Sequence, residues 1–130
     1  MADNVCFVFF VDDHRHGIDT AAKALTERGL LVKRDRDELS VCFPGKPILR
    51  IAFGVGRIVQ EEAIELSVGT AFSAEMAECN ARFEILIDDL DAVLDEINTL
   101  IDVQHILQEL NDGFLYLSWN GQVFGPGQEN

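Results

Sequence analysis

The fold is decided by residues 83–113, which read FEILIDDLDAVLDEINTLIDVQHILQELNDG. Phe83, Ile85 and Ile87 alternate with Glu84 and Leu86 at the start of this stretch. A period of two residues is typical of a β-strand with one buried face. The two aspartates that follow, Asp88 and Asp89, predict a helix start, because their side chains can accept hydrogen bonds from the free N–H groups of a first helical turn.

A long amphipathic helix is predicted directly after these aspartates. Apolar residues recur every three or four positions, as on the buried side of a helix. At 1.5 Å per residue the helix is about 30 Å long, and Asn111-Asp112-Gly113 ends it. The apolar positions are Leu90, Val93, Leu94, Ile97, Leu100, Ile101, Leu107 and Leu110.

Strands and shorter helices are predicted on both sides of this segment. The pair Asn120-Gly121 is a strong hairpin signal, and Pro44-Gly45 is typical of a turn. A helical stretch opening at Ile58 is interrupted by Gly69, and Ser73 can cap a second short helix from Ala74 to about Cys79. The other predicted elements are a strand at 5–11, a helix at 18–28, a three-stranded meander at 30–53, a strand at 114–119 and an edge strand at 122–124.

This order of elements predicts one α+β domain over residues 1–130. We expect a mixed, largely antiparallel sheet with helices packed on it and one long C-terminal helix between two strands. Its general look is that of a ferredoxin-like or related sandwich, which implies no function.

The composition restricts the classes of function. The net charge is −13 with 48% hydrophobic residues, so nucleic acids and anionic membranes would repel the chain. Three cysteines cannot all form disulfides within the chain, which favours a reducing, cytoplasmic setting. No run approaches the roughly 20 apolar residues of a membrane-spanning helix. We expect a soluble protein with no cofactor, and a homo-oligomer is compatible with the sequence.

The charges are distributed unevenly. Residues 83–130 contain ten acidic residues and no lysine or arginine, whereas residues 1–82 contain 13 acidic and ten basic residues. On the long helix one polar stripe follows a spacing of three or four. Its members are Asp91, Asp95, Asn98, Asp102, His105 and Glu109.

This stripe favours a non-enzymatic protein-binding module for a basic protein partner, such as an immunity or inhibitor protein. Asp91, Asp95, Asp102, His105 and Glu109 are the candidate partner-binding residues. A solvated face that maintains solubility is the competing interpretation. A secretion chaperone or a DNA mimic is a further alternative.

A small metal-dependent enzyme is the alternative from a different class. Asp12, Asp13, His14 and His16 follow the first predicted strand and are the candidate metal ligands; a catalytic zinc would need one more, for which Glu61, Glu62 and His105 are candidates. Ordinary turn chemistry explains the same loop. No serine or cysteine lies in a nucleophile motif, so no catalytic residue is predicted. Trp119 beside the Asn120-Gly121 turn is either a core residue or a partner anchor.

Overall fold

The computed structural model describes residues 4–12, 17–42 and 47–126, with the side chains of residues 47 and 48 left out. These residues form one seven-stranded sheet with five helices packed against it. The strands are β1 Val5–Phe10, β2 Leu31–Asp35, β3 Glu38–Cys42, β4 Pro47–Val55, β5 Ala81–Ile87, β6 Phe114–Leu117 and β7 Val123–Phe124. The helices are α1 Ile18–Glu27, α2 Arg57–Leu66, α3 Ser73–Met76, α4 Leu90–Asp95 and α5 Ile97–Leu110.

The sheet confirms the α+β class. Its strand order is β2-β3-β4-β5-β1-β6-β7, and each neighbouring pair is antiparallel. The strands β5 and β6 run parallel to each other with β1 between them, and α4 and α5 connect them. This split β–α–β arrangement is the one that ferredoxin-like folds use.

Two apolar layers hold the helices to opposite faces of the sheet. The larger layer lies under α1, α4 and α5, and the smaller layer lies under α2 and α3. The alternation seen in β5 is confirmed, because Phe83 and Ile85 are buried in the larger layer. The Phe83 ring is the middle of an aromatic cluster, with ring centroids 5.2 Å from Phe10 and 5.6 Å from Phe53.

The long C-terminal helix lies between β5 and β6 as predicted, but it does not run unbroken over residues 90–110, because the chain leaves helical geometry at Glu96, with φ −123° and ψ 45°. The Glu96 N–H donates to the Val93 carbonyl at 3.0 Å, which is a hydrogen bond of the 3₁₀ type between residues three apart. Isoleucine, asparagine and threonine at 97–99 are weak helix formers, so an interruption there costs little. The break separates α4 from α5.

Local capping is partly as predicted. The Asp89 side chain accepts a hydrogen bond from the Ala92 N–H at 3.2 Å and caps α4. Ser73 does not cap α3: it is the first helical residue, and Phe72 occupies the cap position without a side-chain hydrogen bond. The Asn120-Gly121 hairpin is confirmed, with Gly121 at a φ of 72° and β7 following it.

None of the helices in the described ranges combines the length and the apolar character needed to cross a membrane.

Candidate functional site

The predicted partner-binding residues lie on two helices. Asp91 and Asp95 belong to α4, whereas Asp102, His105 and Glu109 belong to α5. The four carboxylates are exposed, and His105 is half-buried. A spacing of three or four keeps residues on one helix face only while the helix is continuous. The break at Glu96 therefore invalidates the single stripe and leaves two acidic segments.

Glu109 has a cation beside it that the sequence did not indicate. The Arg28 Nη1 atom, at the end of α1, lies 3.9 Å from its Oε1 atom, and both side chains are exposed. The two residues also line a shallow cleft of about 230 Å³ between α1 and α5. Glu109 is therefore partly neutralised by the front half of the chain.

Asp91, Asp95 and Asp102 form no ion pair with another described residue. The arginines that form ion pairs contact other carboxylates, on Asp19, Glu38, Glu61, Glu62, Glu84, Asp88 and Glu109. We call these three residues the acidic surface; it consists of two exposed segments, Asp91 and Asp95 on α4 and Asp102 on α5. Its charge is available to a partner because the described part of the chain does not neutralise it.

Asp88 differs from these three residues because it forms a bidentate ion pair with Arg50 of β4. The Arg50 Nε atom donates to Asp88 Oδ2 at 2.7 Å, and Nη2 donates to Oδ1 at 2.8 Å. Arg50 lowers the pKa of Asp88, mainly through these hydrogen bonds. The same bonds raise the pKa of Arg50. Asp88 is therefore a structural residue at the end of β5.

Replacing Asp88 with asparagine is expected to lower the free energy of unfolding at pH 7 by roughly 0.5 to 1 kcal/mol, because both partners are substantially exposed. A carboxylate whose pKa is lowered in the fold stabilises it above the unfolded-state pKa of about 4. That contribution is lost as the pH falls through the folded-state pKa. Urea unfolding between pH 7 and pH 2 should show the two proteins converging in acid.

Asp102→Asn is the matched control for this substitution, because Asp102 is exposed and has no described ion-pair partner. Its unfolding should follow the wild type across the same pH range. A loss from Asp88→Asn that persists undiminished at pH 2 would contradict the assigned pairing with Arg50.

An apolar groove of about 280 Å³ lies beside α4. Four of its large apolar side chains are 40% to 54% exposed, although the periodicity assigned three of them to the core. We call it the α4 groove; its lining includes Ile87, Leu90, Leu94, Ile97, Leu100 and Trp119. Exposed apolar side chains gathered in a groove make it a candidate interaction site.

Hydrogen bonds to residues at the start of β1 hold the segment that carries Trp119. The Ser118 N–H donates to the Val5 carbonyl at 3.2 Å, and the Val5 N–H donates to Ser118 Oγ at 3.3 Å. The Ile87 N–H donates to the Asn4 carbonyl at 3.0 Å. These bonds position Trp119, the only tryptophan of the chain, beside the start of α4.

Two groove-lining leucines of α4 are each followed along the chain by an exposed carboxylate that lies outside the groove lining. Leu90 is followed by Asp91, and Leu94 is followed by Asp95. Asp89 caps the same helix. The result is an apolar centre next to exposed negative charge, which is the usual anatomy of a specific protein interface.

Of the four candidate metal ligands, only Asp12 lies within the described residues. Asp13, His14 and His16 lie outside the described residues, and the Asp12 N–H donates to Asn80 Oδ1 at 2.8 Å. Among the proposed third ligands, Glu61 pairs with Arg57 and Glu62 with Arg82, whereas His105 lies on α5 at the opposite face of the sheet. No group of three or more potential metal ligands occurs within the described ranges.

The cysteine thiols are core groups. Cys6, Cys42 and Cys79 are free and buried. Burial raises the pKa of Cys6 to about 11 against the opposing effect of a hydrogen bond from Gln104, and it raises the pKa of Cys79 to about 12. Both thiols are therefore protonated at neutral pH and are poor nucleophiles.

Sequence reasoning missed the α4 groove because its leucines fit the stripe of a continuous helix. The one feature of the sequence that indicated an interaction site there was Trp119 beside the Asn120-Gly121 turn. The groove and the acidic surface together form the candidate functional site. Searches of known protein families, of curated proteins and of solved structures find no match to this chain.

Proposed function

We propose that this chain is a non-enzymatic binding protein whose acidic surface docks onto a basic protein, in the manner of an immunity or inhibitor protein. The observation that carries the proposal is the exposure of Asp91, Asp95 and Asp102 without a described counter-ion, in a segment that has no lysine or arginine. Carboxylates arranged in this way steer a positively charged partner and raise its association rate.

A surface that serves solubility alone is the competing explanation. Such a surface would be expected to avoid large exposed apolar side chains. Here Leu90, Leu94 and Trp119 are exposed, and the first two lie on the same helix as Asp91 and Asp95. This combination of apolar and charged groups favours recognition of a protein over mere solvation.

The broken helix also weighs against the other binding roles. A DNA mimic would need carboxylates at phosphate spacing along a continuous surface, and the acidic residues fall on two separate helices. The secretion-chaperone alternative has no observation of its own in its favour. The basic protein partner is therefore the proposal that the geometry supports best.

The test is a salt-graded affinity capture with matched charge-reversal variants. The triple variant Asp91→Lys, Asp95→Lys and Asp102→Lys removes the acidic surface. The control variant Glu65→Lys, Glu75→Lys and Glu78→Lys makes the same change in net charge at exposed positions on or beside α2 and α3. The protein captured by the wild type is identified and its affinity for each variant is then measured.

We expect the partner to be basic, to be released as the salt concentration rises, and to bind the first variant about tenfold more weakly than the wild type. The control variant should retain most of the affinity. Equal losses in the two variants would show that only net charge matters, and full retention by the first variant would remove the proposal.

A further inference from the structure

We infer that the α4 groove receives a large apolar side chain of the partner, and that lysine or arginine flanks this side chain in the partner's sequence. The inference rests on the proposed function for the class of partner and adds the chemistry of the segment that is recognised. It begins from Leu94 and Trp119, two large hydrophobic side chains that are exposed.

The size of the groove decides what can occupy it. Sites for drug-sized molecules and cofactors have volumes of about 300 to 1,000 Å³ and enclose most of the ligand. The α4 groove holds about 280 Å³ and is lined chiefly by apolar side chains. It lies at the lower limit of that range, and its volume and apolar lining fit one or two apolar side chains of a larger molecule.

The apolar lining of the groove favours binding of an apolar side chain. Removing a leucine or phenylalanine side chain from water on binding is favourable in proportion to the apolar area that is buried. A tryptophan in an apolar centre surrounded by polar residues is the common form of an interface anchor. Trp119 and Leu94 fit that description, because each is exposed in the free chain and can be covered by a partner.

The carboxylates of α4 favour basic residues on both sides of the bound apolar side chain. Asp91 and Asp95 follow the groove-lining Leu90 and Leu94 directly, and neither has a described ion-pair partner. A segment with an apolar residue between lysines or arginines would fill the groove and neutralise these carboxylates. A second copy of this chain is the less suitable occupant, because two molecules of charge −13 repel each other.

The test uses two synthetic peptides and the fluorescence of Trp119. One peptide alternates lysine with leucine, and the other carries serine in place of every leucine at the same charge. Because Trp119 is the only tryptophan, its emission reports what happens in the α4 groove. The leucine peptide should shift the emission to shorter wavelength and protect Trp119 from acrylamide, whereas the serine peptide should bind more weakly and leave the emission unchanged.

Leu94→Ser separates the groove from the acidic surface, and its exposure makes the substitution compatible with the fold. We expect this variant to bind the leucine peptide about tenfold more weakly, an effect of about 1.4 kcal/mol, and to bind the serine peptide as the wild type does. Ile58→Ser is the matched control: Ile58 is 80% exposed on α2, at the other face of the sheet.

The outcomes distinguish this inference from the proposed function. Equal binding of both peptides without a change in Trp119 emission would overturn the groove inference alone, provided that charge reversal on the acidic surface still weakens binding. Failure of both peptides to bind at millimolar concentration would overturn both. A wild-type dimer that Leu94→Ser dissociates would show that a second copy occupies the groove, which also overturns the inference.

Discussion

Replacing Phe83 with alanine is expected to lower the free energy of unfolding by about 3 to 5 kcal/mol. Phe83 is fully buried on β5 and contacts the rings of Phe10 and Phe53. Its loss leaves a cavity that the surrounding sheet cannot fill and removes contacts between β1, β4 and β5. Because a domain has a total stability of about 5 to 15 kcal/mol, the effect is a large fraction of the whole.

Denaturant unfolding of Phe83→Ala and Ile58→Ala measures this effect. Ile58 is largely exposed, so its truncation should change stability little. Should Phe83→Ala fail to fold, Phe83→Leu keeps the position apolar and should show a smaller loss, so the rank order can still be read. Similar midpoints for Phe83→Ala and the wild type would contradict the placement of Phe83 in the core.

Gly113→Ala is expected to destabilise the protein by about 1 to 3 kcal/mol, the usual cost of overpacking. Gly113 is buried between the end of α5 and the start of β6. A Cβ atom there would lie 2.7 Å from the Val8 Cγ1 atom and 3.1 Å from the Phe9 carbonyl oxygen. The carbonyl belongs to the backbone of β1, so the added methyl group forces α5 or β6 away from the sheet.

Gly54→Ala is the control for this second substitution. A Cβ atom at Gly54 would lie 3.6 Å from its nearest neighbour, Val59 Cγ2, which is ordinary contact. The loss of chain entropy in the unfolded state should make this variant neutral or slightly more stable. Thermal unfolding compares the two variants. An unchanged melting temperature for Gly113→Ala would show that β1 does not restrict the space around Gly113.

Much of the sheet could be predicted from local signals. The alternation at Phe83, Ile85 and Ile87 gave the buried face of β5, and Asn120-Gly121 gave the turn before β7. These signals act over two to four residues, so they are visible without the fold. The break at Glu96 was not visible, because the apolar spacing on either side is compatible with one straight helix and the interruption depends on packing.

The candidate site was predictable in part for the same reason. The polar positions of Asp91, Asp95 and Asp102 follow from helical spacing within each helix, and they are exposed as expected. The contacts of Glu109 with Arg28 and of Asp88 with Arg50 join distant parts of the chain, so counting charges by segment overstated the uncompensated negative charge. Leu90 and Leu94 were assigned to the core because hydropathy does not distinguish a buried leucine from one in an exposed groove.

The central place of β1 has a consequence for how the chain is made. Val5–Phe10 is synthesised before both strands that it pairs with, Ala81–Ile87 and Phe114–Leu117. During translation this apolar hexapeptide has neither of its partner strands until they too have left the ribosome, and such segments self-associate readily. Folding yield in the cell is therefore expected to depend on chaperones that cover β1 until β5 and β6 emerge, more than on the stability of the finished domain.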